Sequence, residues 1–249
     1  MAIKRGYKPA NEAIWYLRHY NFFPCLNEED LMRMATSANM VRAPKGKVIY
    51  FPDEVADSIY LIKEGHVRLS RLTSMGRRLT LDILKPGEIF GEMTVLGEDT
   101  RQEMAEAQDD CLLCIVPKSY LSNLISQNPV ASLHISKLIG LRRRRIENKI
   151  EDTLFYPVSV RLARLILRLA DEYPGRTNLG HRLIRLRLTH QEIADLIGAN
   201  RERVSSVLSR MHDEGLIRPV HRLFSLHNEE ALKSMAMGEP SGYHFETSS

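Results

Sequence analysis

Residues 188–211 have the sequence LTHQEIADLIGANRERVSSVLSRM, which carries the strongest structural signal in the chain. Thr189 and Glu192 stand three residues apart, the spacing of a capping box, and this predicts a helix that begins at Thr189. Gly198 supplies a turn after that helix, and Asn200 is a suitable N-cap for a second helix. The pattern therefore predicts two short helices joined by a tight turn.

The two predicted helices each have one apolar face. Ile193, Ala194 and Ile197 form the buried face of the first helix, and the small Ala194 allows another helix to cross closely. The outward positions of the second helix carry polar and charged side chains, namely Arg201, Glu202, Ser205, Ser206 and Arg210. Such a pair is either two packed helices of no special function or a helix-turn-helix. In a helix-turn-helix these outward residues reach base edges in the major groove of DNA, where arginine pairs with guanine and glutamate accepts from cytosine.

Residues flanking this pair favour the helix-turn-helix interpretation. Thr189, His190 and Gln191 begin the first helix, and helix N-termini suit contacts to phosphates. Residues 215–226, GLIRPVHRLFSL, predict a β-hairpin with a basic tip that includes Arg222. A winged helix places such a hairpin against the DNA backbone, so we expect Arg210 and Arg222 to hold phosphates as well. We also expect Asn200 to be among the DNA-binding residues.

The distribution of charge agrees with this assignment. The whole chain of 249 residues has a net charge of only +4, which indicates nothing by itself. Residues 180–222, however, contain eight arginines against five acidic residues, whereas residues 223–249 contain one lysine against four glutamates. The positive surplus thus lies on the predicted helix-turn-helix and hairpin, as a phosphate-binding surface requires.

The segments before the helix-turn-helix have two other patterns. From 41 to 117, short apolar runs recur about every ten residues between turn signals, which is typical of a β-barrel or jelly roll. Residues 129–157 predict one helix of roughly 40 Å, long enough to form a seam with a second copy of the chain. Arg142 interrupts the apolar stripe of that helix, and Pro157 makes a natural hinge.

Together these features resemble the CRP/FNR family of bacterial transcription regulators over almost the whole chain. Residues 86–92, PGEIFGE, resemble the entry of the family's phosphate-binding cassette, and residues 161–170 and 191–211 resemble its DNA-binding half. The resemblance implies a homodimer with a jelly-roll sensor domain, a long dimer helix and a winged helix. It also implies that an effector bound to the sensor domain shifts the two recognition helices.

The expected fold class is α+β. We expect a cyclic-nucleotide-binding-like jelly-roll sensor domain over 1–128, a dimerisation helix and hinge over 129–157, a winged helix-turn-helix domain over 158–227 and a polar tail over 228–249. The expected function is a cytoplasmic, homodimeric transcription regulator that binds palindromic operators in double-stranded DNA, with RNA polymerase as a candidate partner near residues 174–181. The alternative is a cyclic-nucleotide-binding module that acts on a protein partner; an enzyme is not expected.

The resemblance also implies candidate effector-binding residues, namely Gly91, Glu92, Met93, Arg101 and Gln102. In cyclic-AMP-binding relatives the glutamate of a Gly-Glu pair takes the ribose hydroxyl, and the arginine of a following Arg-Ser or Arg-Thr pair takes the cyclic phosphate. Here Gln102 replaces the Ser or Thr, and Glu103 follows it. We therefore expect the effector to be absent or different from cyclic AMP, and a cyclic nucleotide is the candidate ligand. If Gly91 and Glu92 form only a structural turn, we expect Glu92 to pair with Arg101.

Three further features exclude or leave open other functions. The chain has three cysteines, and Cys111 and Cys114 lie three apart on a predicted strand, so they point to opposite faces and are not expected to bind one metal. No segment is apolar enough to predict a membrane span. The run Arg142–Arg145 is interpreted first as a solvated, salt-bridged part of the helix, with anionic-effector binding or a role at the hinge as the alternatives.

Overall fold

The computed structural model describes residues 28–72, 78–220 and 223–238. These residues form two compact units that divide between Arg144 and Arg145. The first unit holds two four-stranded antiparallel sheets with helices, and the second holds helices with a third four-stranded sheet. The predicted α+β class, with an N-terminal sheet-rich domain and C-terminal helices, is confirmed.

The first unit is built on eight strands. Their order is β1-β8-β3-β6 in one sheet and β2-β7-β4-β5 in the other. Their bounds are β1 Asn39–Ala43, β2 Val48–Tyr50, β3 Ser58–Glu64, β4 Val67–Leu72, β5 Arg78–Leu84, β6 Ile89–Phe90, β7 Met104–Ala107 and β8 Cys111–Pro117. Gly65, between β3 and β4, has a φ of 78°, and a Cβ there would lie 2.4 Å from the carbonyl oxygen of Asp110, so only glycine fits this turn.

The sheet that contains β3 is buried on both faces because side chains alternate along a strand. Tyr60 and Ile62 enter the core cluster that both sheets line. Ile59 and Leu61 enter a second cluster, shared with the helices α1 (Glu28–Ser37), α2 (Lys118–Gln127) and the start of α3 (Pro129–Phe155). The helices of this unit thus cover the outer face of that sheet.

Helix α3 has 27 residues, in agreement with the predicted long helix. It ends at Phe155, and α4 (Val158–Glu172) begins after Pro157, which is extended with φ −65° and ψ 161°. Within the described ranges no helix is both long and apolar enough to cross a membrane.

The second unit packs four further elements around α4. They are α5 (His190–Ile197), α6 (Arg201–Asp213), α7 (Glu229–Met237) and a sheet ordered β11-β12-β10-β9, with β9 Pro174–Arg176, β10 Arg182–Ile184, β11 Ile217–Val220 and β12 Leu223–Leu226. Helix α4 buries a continuous stripe that includes Leu162, Ala163 and Ile166.

The prediction of a polar tail over 228–249 is wrong for its first part. Residues 229–237 form helix α7, which Asn228 caps by accepting a hydrogen bond from the Ala231 backbone N–H. Leu232 and Met235, one turn apart, are buried. Two apolar side chains at helical spacing suffice to dock this short helix, although the segment is polar on average. The remaining tail, residues 239–249, lies outside the described residues.

Candidate nucleic-acid interface and effector pocket

The two helices of the predicted helix-turn-helix begin and end where their capping residues stand. Thr189 Oγ1 accepts from the Glu192 N–H at 3.2 Å, and Glu192 Oε2 accepts from the Thr189 N–H at 2.7 Å, which completes the capping box. Gly198 ends α5 with φ 66°, in the left-handed region. Asn200 Oδ1 then accepts from the Arg203 N–H at 2.9 Å and starts α6.

The charged end of α6 faces away from the protein core. Val204, Leu208 and Met211 are buried beneath the helix. Arg201 and Glu202 are exposed, and within the described part of the chain no hydrogen bond or ion pair occupies their side chains. The first turn of α6 therefore presents a free cation and a free carboxylate, both of which suit the edges of bases.

Several other predicted DNA contacts already have partners inside the protein. His190 Nδ1 and Ser205 Oγ lie 2.8 Å apart, so a hydrogen bond joins α5 to α6. Gln191 Nε2 donates to Asp195 Oδ1 at 2.8 Å. Thr189, Ser206 and Arg210 are exposed on the same two helices, and Arg222 lies outside the described residues.

The predicted hairpin follows α6. Strands β11 and β12 pair in antiparallel fashion, with Pro219 opposite Phe224. A cleft of ≈ 270 Å³ separates the hairpin from α6, and its lining includes His190, Ser205, Pro219 and Phe224. The hairpin therefore borders the same exposed surface as helix α6.

The candidate effector residues of the first unit surround a buried ion pair that sequence reasoning missed. Glu92 accepts from Arg142 Nη1 at 2.5 Å, and Arg142 Nη2 donates to the carbonyl oxygen of Ile89. The two side chains are 5% and 13% exposed. The nearby carboxylate of Glu92 raises the pKa of Arg142 although burial opposes this. The expected pair of Glu92 with Arg101 is therefore wrong, because Arg142 takes that carboxylate.

Arg101 is held by other groups. Its Nη1 donates to the Gly91 carbonyl oxygen at 3.2 Å and its Nη2 to the Ser58 carbonyl oxygen at 2.5 Å. The guanidinium lies 4.5 Å from the centre of the Tyr50 ring, a cation–π contact. Gly91, with φ 73°, has no room for a Cβ, which would lie 2.6 Å from Arg101 Nη1. Arg101 thus ties the 3-10 turn that follows Gly91 to β3.

The remaining candidate effector residues, and Glu103 beside them, have the following surroundings. Gln102 is exposed, and its amide lies 3.4 Å from the Thr100 hydroxyl. Glu103 accepts a long hydrogen bond of 3.4 Å from Tyr50. Burial and the Glu92 carboxylate raise the pKa of Glu103. Met93, another candidate, is half-buried.

The arginine run has two different environments. Arg142 is buried in its pair with Glu92, whereas Arg143 and Arg144 are exposed. The interpretation of the whole run as a solvated part of the helix is therefore wrong for Arg142. Consecutive helical residues are about 100° apart, so Arg142 can point into the first unit while Arg143 and Arg144 are exposed. Its position in the apolar stripe was the signal that could have revealed this.

The cysteines behave as the strand pattern predicts. Cys111 enters the cluster between the sheets and Cys114 enters the cluster beneath the helices, so the two thiols lie on opposite faces of β8. Burial raises the pKa of each to about 12. Among the described residues no group of three or more His, Cys, Asp or Glu side chains is arranged to hold a metal ion.

Comparisons with known proteins agree with both halves of this arrangement. The protein-family model named cyclic nucleotide-binding domain matches residues 40–128, and the family model named Crp-like helix-turn-helix domain matches residues 160–235. The cyclic AMP receptor protein of Thermus thermophilus is 33% identical over 78% of this chain and 87% of its own length. The chain belongs to the CRP/FNR family of transcription regulators. Membership of this family makes it a DNA-binding transcription regulator, and its relatives are regulators rather than enzymes.

Solved structures of CRP/FNR proteins have the same architecture. A CRP/FNR-family regulator of Thermus thermophilus superposes with a TM-score of 0.63 at 30% identity, covering 80% of this chain and 98% of that one. FixK2 of Bradyrhizobium japonicum superposes with a TM-score of 0.71 at 24% identity, covering 80% and 96%, and shares the fold.

Proposed function

We propose that this CRP/FNR protein is a homodimeric, sequence-specific regulator that binds palindromic operators through α6. The observation that carries this proposal is that Arg201 and Glu202, on the first turn of a capped helix, are both exposed and have no side-chain partner among the described residues. Arg201 pairs with guanine and Glu202 accepts from cytosine, and Ser205 and Ser206 contact neighbouring base edges. The short serine side chains contribute less reach than arginine does.

Phosphate contacts position α6 in the groove. The N-terminus of α5 faces the phosphates of one DNA strand, and the helix dipole favours an anion there. The residues at this N-terminus are Thr189, His190 and Gln191. Asn200 caps α6 and Arg210 lies within it, and we assign phosphate contacts to both and to Arg222 of the sequence between β11 and β12. His190 holds Ser205 at 2.8 Å, so a DNA contact at either residue also depends on the other.

The dimer proposal rests on the exposed apolar side chains of α3. Ile146, Ile150 and Leu154 recur every fourth residue and are 41%, 55% and 69% exposed. A stripe of this kind is costly in water and suits a second α3 packed alongside it. Two-fold symmetry then places two copies of α6 about one helical turn apart on DNA, which requires a palindromic site.

Fluorescence anisotropy with a labelled palindrome, selected by the purified protein from a random DNA pool, tests these assignments. Arg201→Ala should cost about 1–3 kcal/mol and relax the preference at one base pair. Arg168→Ala, which removes an exposed arginine on α4, is the matched control and should change little. A uniform loss on all sequences for Arg201→Ala would contradict its assignment to base recognition, and binding without salt dependence would contradict phosphate contacts.

We further propose that cyclic AMP is not the effector of this protein. Some relatives carry cyclic AMP in their names, among them the cyclic AMP receptor protein of Thermus thermophilus. A cyclic phosphate needs the guanidinium of Arg101, yet both of its terminal nitrogens already bond backbone carbonyls. A ribose hydroxyl needs the Glu92 carboxylate, which Arg142 already holds. A nucleotide would therefore have to share Arg101 and Glu92 with partners inside the protein, through the remaining N–H donors of Arg101 and the second carboxylate oxygen of Glu92.

Calorimetric titration with cyclic AMP, cyclic GMP and cyclic di-GMP tests this second proposal. We expect no saturable heat with cyclic AMP and unchanged DNA affinity in its presence. Saturable binding that also raises DNA affinity would overturn the proposal.

The hairpin of β9 and β10, with Leu179 exposed near its tip, is the proposed contact with RNA polymerase.

A further inference from the structure

Helix α4 carries two arginines, one turn apart, that reach different parts of the second unit. Arg161 Nη1 donates to the carbonyl oxygens of Ile197 at 2.6 Å and Gly198 at 3.2 Å. These carbonyls end α5, where no intrahelical donor remains and a cation is favoured. Arg161 therefore attaches α4 to the turn immediately before the recognition helix α6.

Arg164 connects three segments of the chain. Its Nη1 donates to Asp152 in the last turn of α3, and its guanidinium lies 3.8 Å from the centre of the Tyr156 ring in the break between α3 and α4. Its Nε donates to the carbonyl oxygen of Ala236 at 2.7 Å, at the C-terminal end of α7. One side chain thus spans the break at Pro157 and fastens α7 to it.

Two further contacts stiffen the same assembly. Lys149 of α3 donates to the carbonyl oxygen of Asp195 in α5 at 3.4 Å. At the other end of α7, Arg182 bridges Asp171 at 2.5 Å and Glu229 at 2.9 Å. The end of α3 is therefore attached to α5 directly and, through Arg164, to the helix α4 that holds the turn before α6.

We propose that Arg164 is a positioning residue for DNA binding, which holds α6 at a fixed orientation to residues 145–155 of α3. This inference rests on the proposed homodimer, in which two α3 helices pair and two α6 helices must enter successive major grooves together. A fixed orientation removes the cost of aligning the second α6 after the first has bound. The arginine suits this role because its planar fork makes several directed contacts at once.

The test compares three DNA duplexes of the selected sequence: the palindrome, the palindrome with its half-sites moved apart by two base pairs, and a single half-site. For Arg164→Ala we expect affinity for the palindrome to fall on the order of tenfold, the scale of lost charge-assisted hydrogen bonds. The preference for correct over altered spacing should shrink by the same factor, while half-site affinity stays unchanged. Arg168→Ala, on the exposed side of α4, should match the wild type on all three.

A second variant keeps the proposal testable if Arg164→Ala does not fold. Asp152→Ala removes the ion pair between Arg164 and α3, leaves the Arg164 bond to the Ala236 carbonyl oxygen in place, and should reduce the spacing preference in the same direction by a smaller factor. An unchanged spacing preference in the folded variants would overturn the proposal, and so would an equal loss on the half-site, which indicates damage to the winged helix itself. Failure of the wild-type protein to prefer any palindrome would instead refute the proposed homodimeric function.

Discussion

Replacing Arg142 by methionine tests how much the buried ion pair contributes to the first unit. Arg142 Nη1 lies 2.5 Å from Glu92 Oε1, and its second terminal nitrogen bonds the Ile89 carbonyl. Methionine keeps most of the side-chain length but leaves the Glu92 carboxylate buried without a cation. The damage should therefore come from an uncompensated charge rather than from a cavity.

The burial of both side chains sets the expected magnitude. Removing one partner of a buried ion pair costs about 3–5 kcal/mol, whereas removing both together is often close to neutral. We expect Arg142→Met to lower the free energy of unfolding by about that amount. The double variant Glu92→Gln, Arg142→Met should recover most of the loss, because neither member of the pair is then left as an uncompensated buried charge.

Urea unfolding followed by far-UV circular dichroism measures the difference. Arg144→Met is the matched control, since Arg144 is exposed two residues further along the same helix. If Arg142→Met and Arg144→Met unfold within about 1 kcal/mol of each other, the pair is not an important source of stability. If the double variant is as unstable as the single one, the loss comes from packing and the charge argument is refuted.

Three further predictions concern single groups. Burial and the Glu92 carboxylate raise the pKa of Glu103, so the folded state binds the Glu103 proton more tightly than the unfolded state does. The free energy of unfolding should therefore fall as pH rises through the pKa of the folded state. Glu103→Gln should flatten this fall in urea titrations from about pH 5 to pH 8. Asn200→Ala removes the acceptor of the Arg203 N–H and should cost about 1 kcal/mol in urea unfolding, whereas Asn200→Asp should not. Because burial raises the pKa of Cys111 and Cys114 to about 12, alkylation followed by mass spectrometry should label them far more slowly in the native protein than in urea.

The features predicted correctly from sequence are those whose interactions are local. The capping box joins Thr189 to Glu192 across three residues, and the cap of α6 joins Asn200 to Arg203 in the same way. Such bonds leave a fixed spacing in the sequence. The alternation along β8 is equally local, and it is sufficient to place Cys111 and Cys114 on opposite faces of the strand.

The features that the sequence did not reveal depend on distant partners. Arg142 meets Glu92 across 50 residues, and Arg164 meets the Ala236 carbonyl across 72. No periodicity encodes such a meeting, since it depends on how the helices pack on the sheets. The same reason explains α7, whose polar composition concealed the two residues that dock it, Leu232 and Met235.

The long-range pair also limits what family membership implies about ligands. Gly91, Glu92 and Arg101 preserve the residue types of a cyclic-nucleotide site, but residue type does not make a donor or acceptor available. A nucleotide at Glu92 or Arg101 would compete with bonds that the protein already makes to both side chains, so part of the free energy of its own bonds would be lost. Because Arg142 lies on α3, a ligand that displaced it from Glu92 would also remove a contact of this helix, so ligand affinity and the position of Arg142 are thermodynamically linked.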